Sequence, residues 1–143
     1  MATFDLQSAP AILAEVFPPW VLSLRPEIVH IGDGQTVLAM PLSPVACREG
    51  GTVSGQAIAA LADTAMVCAL WAALGEQRPV ATVDLHVTYL RAAKDGLRAT
   101  AEVVKQGRSL SFARVSIASD SEPDRPVACL LYTSPSPRDK RQS

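Results

Sequence analysis

The chain has 143 residues, 48% hydrophobic and 19% charged, and its 13 basic and 14 acidic side chains leave a formal net charge of −1. This length and composition predict one folded domain with a real apolar core, and they argue against a disordered chain. The balanced charge gives no expectation of nucleic acid as a partner. Cys47, Cys68 and Cys129 lack any disulfide or metal-ligand spacing. We therefore expect no metal and a reducing, cytoplasmic location.

The N-terminal region predicts a helix followed by a hairpin. Ser8 and the proline two residues later are typical of a short capped helix, which the two successive prolines at 18 and 19 should end. Apolar runs at 27–31 and 36–42 flank Gly32-Asp33-Gly34. Glycines permit the positive φ angles of tight turns, so these two runs predict a β-hairpin.

A long apolar helix is the most informative element. Ser54 is a suitable N-cap, and Asp63 is the only charged residue in the eighteen positions from 57 to 74. A helix that is apolar on every side is surrounded either by protein or by lipid. An ionised Asp in a lone membrane span costs a few kcal/mol, and no basic flank sets an orientation. The sequence therefore favours a central helix inside the protein and no membrane partner.

Strand-like stretches with period two follow the helix. They cover 80–90, 97–105, 110–119 and 127–132, separated by turns. In the first, Val83 and Tyr89 are expected on the buried face. The pattern predicts an antiparallel meander that must curl around the helix, because no other element is large enough to cover it. The predicted fold class is α+β.

The C-terminal segment 129–139, CLLYTSPSPRD, resembles the translated read-through of a transposase sequencing adapter, a signature of metagenomic assemblies. We therefore expect the natural chain to end near Ala128, a single domain over 1–132 and a disordered, adapter-derived tail over 133–143. An ordinary Pro/Ser tail is the alternative. On either interpretation, no functional residue is expected beyond about Tyr132.

Three segments carry a resemblance: GGTVSGQAIAALADTAM, VATVDLHVTYLRAA and KQGRSLSFARV. Together, across about 28–127, they resemble the PaaI-like acyl-CoA thioesterases of the hotdog-fold superfamily. In that family a motif close to HGG-x4-L-x-D-x-A begins the central helix. Here Ser54 replaces the His and Gln56 the second Gly, while the spacing is kept. The resemblance implies a hotdog fold, in which a curved antiparallel sheet of five to six strands wraps the helix.

Thioester hydrolysis needs a base or nucleophile at the carbonyl and donors for the oxyanion that forms. Asp63 has no cation three or four residues away on its apolar helix, so its charge is costly unless it is used. It could act as general base or as nucleophile through a mixed anhydride. The Gly55 N–H, just after the cap, is the predicted oxyanion donor. The resemblance assigns to Thr82 the orientation of the water or the carboxylate.

Each assignment has a purely structural alternative. Asp63 could be a buried carboxylate tied to backbone N–H groups or to Thr82. Gly55 could serve only a close approach of helix and strand. Ser54 is a cap rather than a nucleophile, because no histidine stands in a motif that would activate it.

Helix geometry predicts that the site is shared between subunits. Gly55 and Asp63 are eight residues apart, which separates them by about 12 Å along one helix axis. Two groups that far apart cannot act on the same carbonyl carbon. A two-fold dimer with paired central helices would bring Gly55 of one chain near Asp63 of the other. The resembling family builds its sites in this way, usually within a dimer of dimers.

Six residues are expected to contact the substrate or its coenzyme A. The resemblance places Arg91, Lys105 and Arg108 where relatives meet the CoA phosphates, although exposed strand-end cations often serve only solubility. Arg48 stands where many relatives have an Asn near the thioester oxygen, which leaves the second oxyanion donor open. Ser54 and Gln56 are expected beside the substrate.

The predicted function is hydrolysis of acyl-CoA to free acid and CoA, with no cofactor other than the CoA of the substrate. A hotdog dehydratase is less favoured, because such enzymes resemble a pattern with a His near the catalytic acid and none lies between Ile31 and Leu85. A non-catalytic acyl-CoA binding or sensor module is the remaining alternative, since a fold does not fix a function.

Overall fold

The computed structural model describes residues 2–107 and 109–135. In these residues the helices are α1 (Ala9–Val16), α2 (Pro19–Leu22) and α3 (Gly55–Leu74), and a 3-10 turn covers Pro44–Ala46. The strands are β1 (Glu27–Gly32), β2 (Gln35–Met40), β3 (Asp84–Tyr89), β4 (Leu97–Gln106), β5 (Leu110–Ser119) and β6 (Pro126–Pro135).

All six strands belong to one antiparallel sheet, in the order β1-β2-β4-β5-β6-β3. The inner face of the sheet packs against α3, which contacts β2, β4, β5 and β6. A long helix wrapped by a curved antiparallel sheet is the hotdog architecture. The predicted α+β fold class is confirmed, with six strands.

Helix α3 forms the centre of the core. Ser54 caps its start, and Gly75 ends it in the left-handed conformation at φ 77°. Trp71 is 2% exposed and its indole N–H donates to the Arg78 carbonyl oxygen at 2.7 Å. By length and composition α3 could cross a membrane, but 67% of its most apolar window is buried inside the protein. Its packing is that of a core helix.

The N-terminal hairpin is confirmed. β1 and β2 are joined by Asp33 and Gly34 at φ 54° and 74°, the positive values that a type I′ turn requires at both central positions. The predicted role of Ser8 is wrong. Its hydroxyl accepts from the Asp5 N–H at 3.0 Å and donates to the Thr3 carbonyl, so it forms the preceding turn and does not cap α1.

Strand β3 departs from the predicted meander. It covers only Asp84–Tyr89 and pairs with β6, not with the next strand in the chain, β4. The segment after β3 crosses to the start of α3, where the Val53 N–H donates to the Ala93 carbonyl oxygen. β3 is therefore an edge strand. Val83 and Tyr89, expected to be buried, are 58% and 52% exposed, because the described chain provides no further strand beside them.

Strand β6 passes the predicted domain end at Tyr132 and continues to Pro135. Within it, Thr133 pairs with Asp84 of β3. The rest of the predicted tail, 136–143, lies outside the described residues.

Candidate active site

The carboxylate of Asp63 lies half-buried on α3, among apolar neighbours of the same helix. Its Oδ1 accepts a hydrogen bond from the Thr82 hydroxyl at 3.0 Å. Burial raises the pKa of the Asp63 carboxyl above its ordinary value, and the hydrogen bond from Thr82 offsets part of that rise. Asp63 has no ion-pair partner in the described chain. The sequence prediction that Thr82 meets Asp63 corresponds to this contact, which suits both a structural tie and a catalytic alignment.

Tyr132 is a neighbour of this pair that sequence reasoning missed. Its hydroxyl lies 3.2 Å from the Thr82 Oγ1, and its side chain is 1% exposed. Burial is the main reason why the pKa of Tyr132 is raised. The period-two pattern of β6 could have placed this side chain inward, but not beside a residue fifty positions away.

The start of α3 presents two open backbone donors. The Ser54 hydroxyl accepts the Ala57 N–H at 3.1 Å, as an N-cap does. In the described residues, the N–H groups of Gly55 and Gln56 have no acceptor. They belong to the first turn, whose N–H groups point out of the helix end and carry its partial positive charge.

A tyrosine from the edge strand covers this helix start. The Tyr89 hydroxyl donates to the Gly55 carbonyl oxygen at 3.0 Å. A Cβ added at Gly55 would lie 3.5 Å from the ring and hydroxyl of Tyr89, an ordinary contact. The sequence predicted Tyr89 only as an inward-facing strand residue.

A surface groove of about 710 Å³ opens at the same place. Its lining includes Gly55, Gln56, Tyr89, Arg48 and Arg91. Both arginines are exposed, and neither forms an ion pair within the described chain. The Arg91 Nε donates to a backbone carbonyl, that of residue 126, at 2.9 Å. The groove therefore combines backbone donors with two positive side chains.

Not all predicted residues meet in one chain. Gly55 and Asp63 are on the same helix, which separates them by about 12 Å along its axis. Lys105 is exposed near the end of β4 and does not line the groove. Arg108 lies outside the described residues.

Within 2–107 and 109–135, no three His, Cys, Asp or Glu side chains are grouped closely enough to hold a metal ion. Cys68 is buried on α3, Cys47 is half-buried and Cys129 is exposed.

The wrapped helix, the six-stranded sheet and the carboxylate on the helix define a hotdog-fold protein. Residues 50–124 match the family model described as the thioesterase superfamily. A Halobacterium salinarum protein named "putative esterase" is 34% identical over 129 residues, 85% of each chain. The chain belongs to the thioesterase superfamily, and the predicted superfamily is confirmed.

Solved structures agree on the fold. Zebrafish thioesterase superfamily member 2 is 28% identical, with a TM-score of 0.76 over 91% of this chain and 94% of that one. A thioesterase from Haemophilus influenzae is 21% identical, with a TM-score of 0.81 over 93% and 90%. Family membership makes this protein a hydrolase of the thioesterase class.

Proposed function

We propose that this protein hydrolyses acyl-CoA thioesters to the free acid and CoA, with Asp63 as the catalytic carboxylate. The observation that carries the proposal is this charged group on an otherwise apolar helix, half-buried and held by Thr82 at 3.0 Å. A carboxylate kept without a cation in such a place costs free energy, which a catalytic use explains. Its raised pKa makes it a stronger base than an exposed Asp.

The helix start supplies the oxyanion contact in this proposal. The open N–H of Gly55 and the positive end of the helix dipole favour the negative oxygen of the tetrahedral intermediate. Ser54 supports this role as the cap, because it takes the Ala57 N–H and leaves the earlier donors to the substrate.

The groove supports CoA as the leaving group. In this proposal Arg91, which lines the groove, meets phosphate oxygens of a ligand whose thioester lies at the helix start. Arg48 stays a proposed contact near the thioester oxygen, on resemblance alone. Lys105 and Arg108 remain proposed phosphate contacts on resemblance alone. No cofactor is part of the proposal, since CoA enters with the substrate, and a cytoplasmic location fits the acyl-CoA pool.

Two subunits are needed to build one site. β3 is an edge strand, and the exposed apolar side chains of Val83 and Leu90 flank it. Pairing two β3 edges about a two-fold axis would extend the sheet and set the two α3 helices side by side. Asp63 of the partner subunit would then serve the carbonyl held by Gly55. A dimer of dimers is the assembly that the family resemblance implies.

Asp63 could promote thioester hydrolysis by either of two routes. As general base, Asp63 takes a proton from water, the water oxygen adds to the carbonyl carbon, and the C–S bond breaks to release the CoA thiolate, which recovers the proton. As nucleophile, the carboxylate oxygen displaces the thiolate to form a mixed anhydride, which water hydrolyses. A single turnover in ¹⁸O-water separates them, because only the anhydride route can leave label in the Asp63 carboxylate.

Asp63→Asn tests the proposal. The amide can neither accept a proton as base nor attack, so we expect turnover to fall by at least a hundredfold on a panel of acyl- and aroyl-CoA substrates followed by thiol release. The matched control is Asp124→Asn, which changes an exposed acid outside the site. Equal turnover in Asp63→Asn and the wild type would refute the role of Asp63. Tight acyl-CoA binding without hydrolysis by the wild type would indicate the sensor alternative.

A further inference from the structure

One peptide unit at the start of α3 is held from outside the helix. The Tyr89 hydroxyl donates to the Gly55 carbonyl oxygen at 3.0 Å. That carbonyl and the N–H of Gln56 belong to the same peptide unit. A donor on the carbonyl oxygen draws electron density from the N–H and strengthens it as a donor, since linked hydrogen bonds polarise one another.

We propose that the backbone N–H of Gln56 is the second oxyanion donor and that Tyr89 is the positioning residue that aligns and polarises it. This inference rests on the proposed thioester hydrolysis. It supplies the second oxyanion donor, which the sequence leaves open because Arg48 stands where many relatives have an Asn near the thioester oxygen.

The neighbouring contacts agree with this assignment. Ser54 takes the Ala57 N–H, so the open donors of the first turn in the described chain are those of Gly55 and Gln56. Both residues line the groove, as does Tyr89. Two adjacent N–H groups that point out of one helix end can meet a single oxygen, and they need no reorganisation during the reaction.

Tyr89 is also suited to hold this peptide unit still. The phenol end of its ring lies 3.5 Å from where a Gly55 Cβ would be, so the hydrogen bond comes from a side chain that also lies close to Gly55. The contact links β3 with α3 across thirty-four positions of sequence. It therefore ties the oxyanion donors to the edge strand.

Tyr89→Phe keeps the ring and removes the donor. Loss of one hydrogen bond should lower kcat about two- to tenfold. KM should change little, because the oxyanion forms only after the substrate has bound. The matched control is Thr88→Val, which removes a hydroxyl from the adjacent exposed position of β3. An unchanged kcat in Tyr89→Phe, with the wild type active, would overturn the inference and leave the proposed function intact.

A graded variant separates polarisation from packing. 3-Fluorotyrosine at position 89 has a more acidic hydroxyl and is a better donor, so we expect kcat at or above the wild-type value. A kcat as low as that of Tyr89→Phe would contradict the proposed role.

An NMR measurement tests the inference without turnover. In Tyr89→Phe the amide proton of Gln56 should move upfield by more than that of Gly55, which belongs to the preceding peptide unit. The phenyl ring keeps ring-current effects nearly constant. No selective shift at Gln56 would refute the polarisation, whereas a wild type without thioesterase activity would refute the proposed function.

Discussion

The ionised carboxylate of Asp63 should lower the free energy of unfolding, and its replacement by Asn tests this. Its folded-state pKa is raised, so the ionised form destabilises the folded state at neutral pH, and this effect vanishes below the unfolded pKa of about 4, where both states are protonated. Asp63→Asn keeps an oxygen that can accept from Thr82. We therefore expect a higher Tm than the wild type at pH 7 and no difference by about pH 3.

Thermal unfolding from pH 3 to 8 measures this difference, with Asp124→Asn as the control that should show none. A Tm gain that grows as the pH falls would have the wrong sign and would mean that the Asp63 charge stabilises the fold.

Some residue roles follow from local pattern and others do not. Ser54 and Gly75 mark the ends of α3 by chemistry that the sequence displays, and Asp63 is conspicuous as the one charge on that helix. Tyr89 and Tyr132 make their hydrogen bonds to residues 34 and 50 positions away. No periodicity encodes which side chains meet across such distances, because the curvature of the sheet decides it.

At the scale of elements, the groove brings together the loop before α3, the helix start and the segment after β3. Each flanking segment contributes one arginine, Arg48 and Arg91. The exposure of Arg91 limits its phosphate contact to about 0.4–1 kcal/mol, a two- to fivefold effect on binding.

Arg91→Gln should therefore raise KM about two- to fivefold for full-length acyl-CoA. A pantetheine thioester, which lacks the nucleotide phosphates, should be nearly unaffected. Arg114→Gln, an exposed residue of β5 outside the groove, is the matched control. Equal losses on both substrates would show that Arg91 acts on something other than the phosphates.

The strands show which structural features follow from local sequence and which depend on long-range contacts. The hairpin of β1 and β2 follows from its turn residues, and the bounds predicted for β5 were those observed. For β3 the alternation was visible but its place in the sheet was not. Pairing with β6 depends on where the chain crosses the start of α3, which is a long-range property.

At the scale of the whole molecule, the separation of Gly55 from Asp63 makes assembly part of the chemistry. Gly55→Pro deletes the proposed donor N–H with little strain, because Pro is favoured at the first helical position and Ser54, at φ −71° and ψ 151°, is extended as a residue before Pro prefers. Mixed with Asp63→Ala, it should restore activity through heterodimers.

Random exchange makes half of the dimers mixed, each with one intact site of two, so the ceiling is roughly a quarter of wild-type activity. Co-expression with two affinity tags isolates the mixed dimers, whose thiol release should approach half of the wild-type value, because one of their two sites is intact. Each variant alone is the control and should be inactive. Folded mixed dimers without activity would rule out a site shared between subunits.

The central helix α3 is also rich in small side chains. Eight of its twenty residues are alanine, and Ala62 and Ala65 have no exposed surface. Short side chains let the sheet backbone approach the helix axis closely, so the alanines of α3 allow the sheet to curve tightly around it. Large buried side chains stand on both partners, such as Trp71 and Met66 on α3 and Leu97 and Ile117 on the sheet. The consequence is local to the buried alanines: an added methyl group at Ala62 or Ala65 would meet closely packed neighbours and should destabilise the fold, whereas a bulky core residue can be exchanged for another of similar volume.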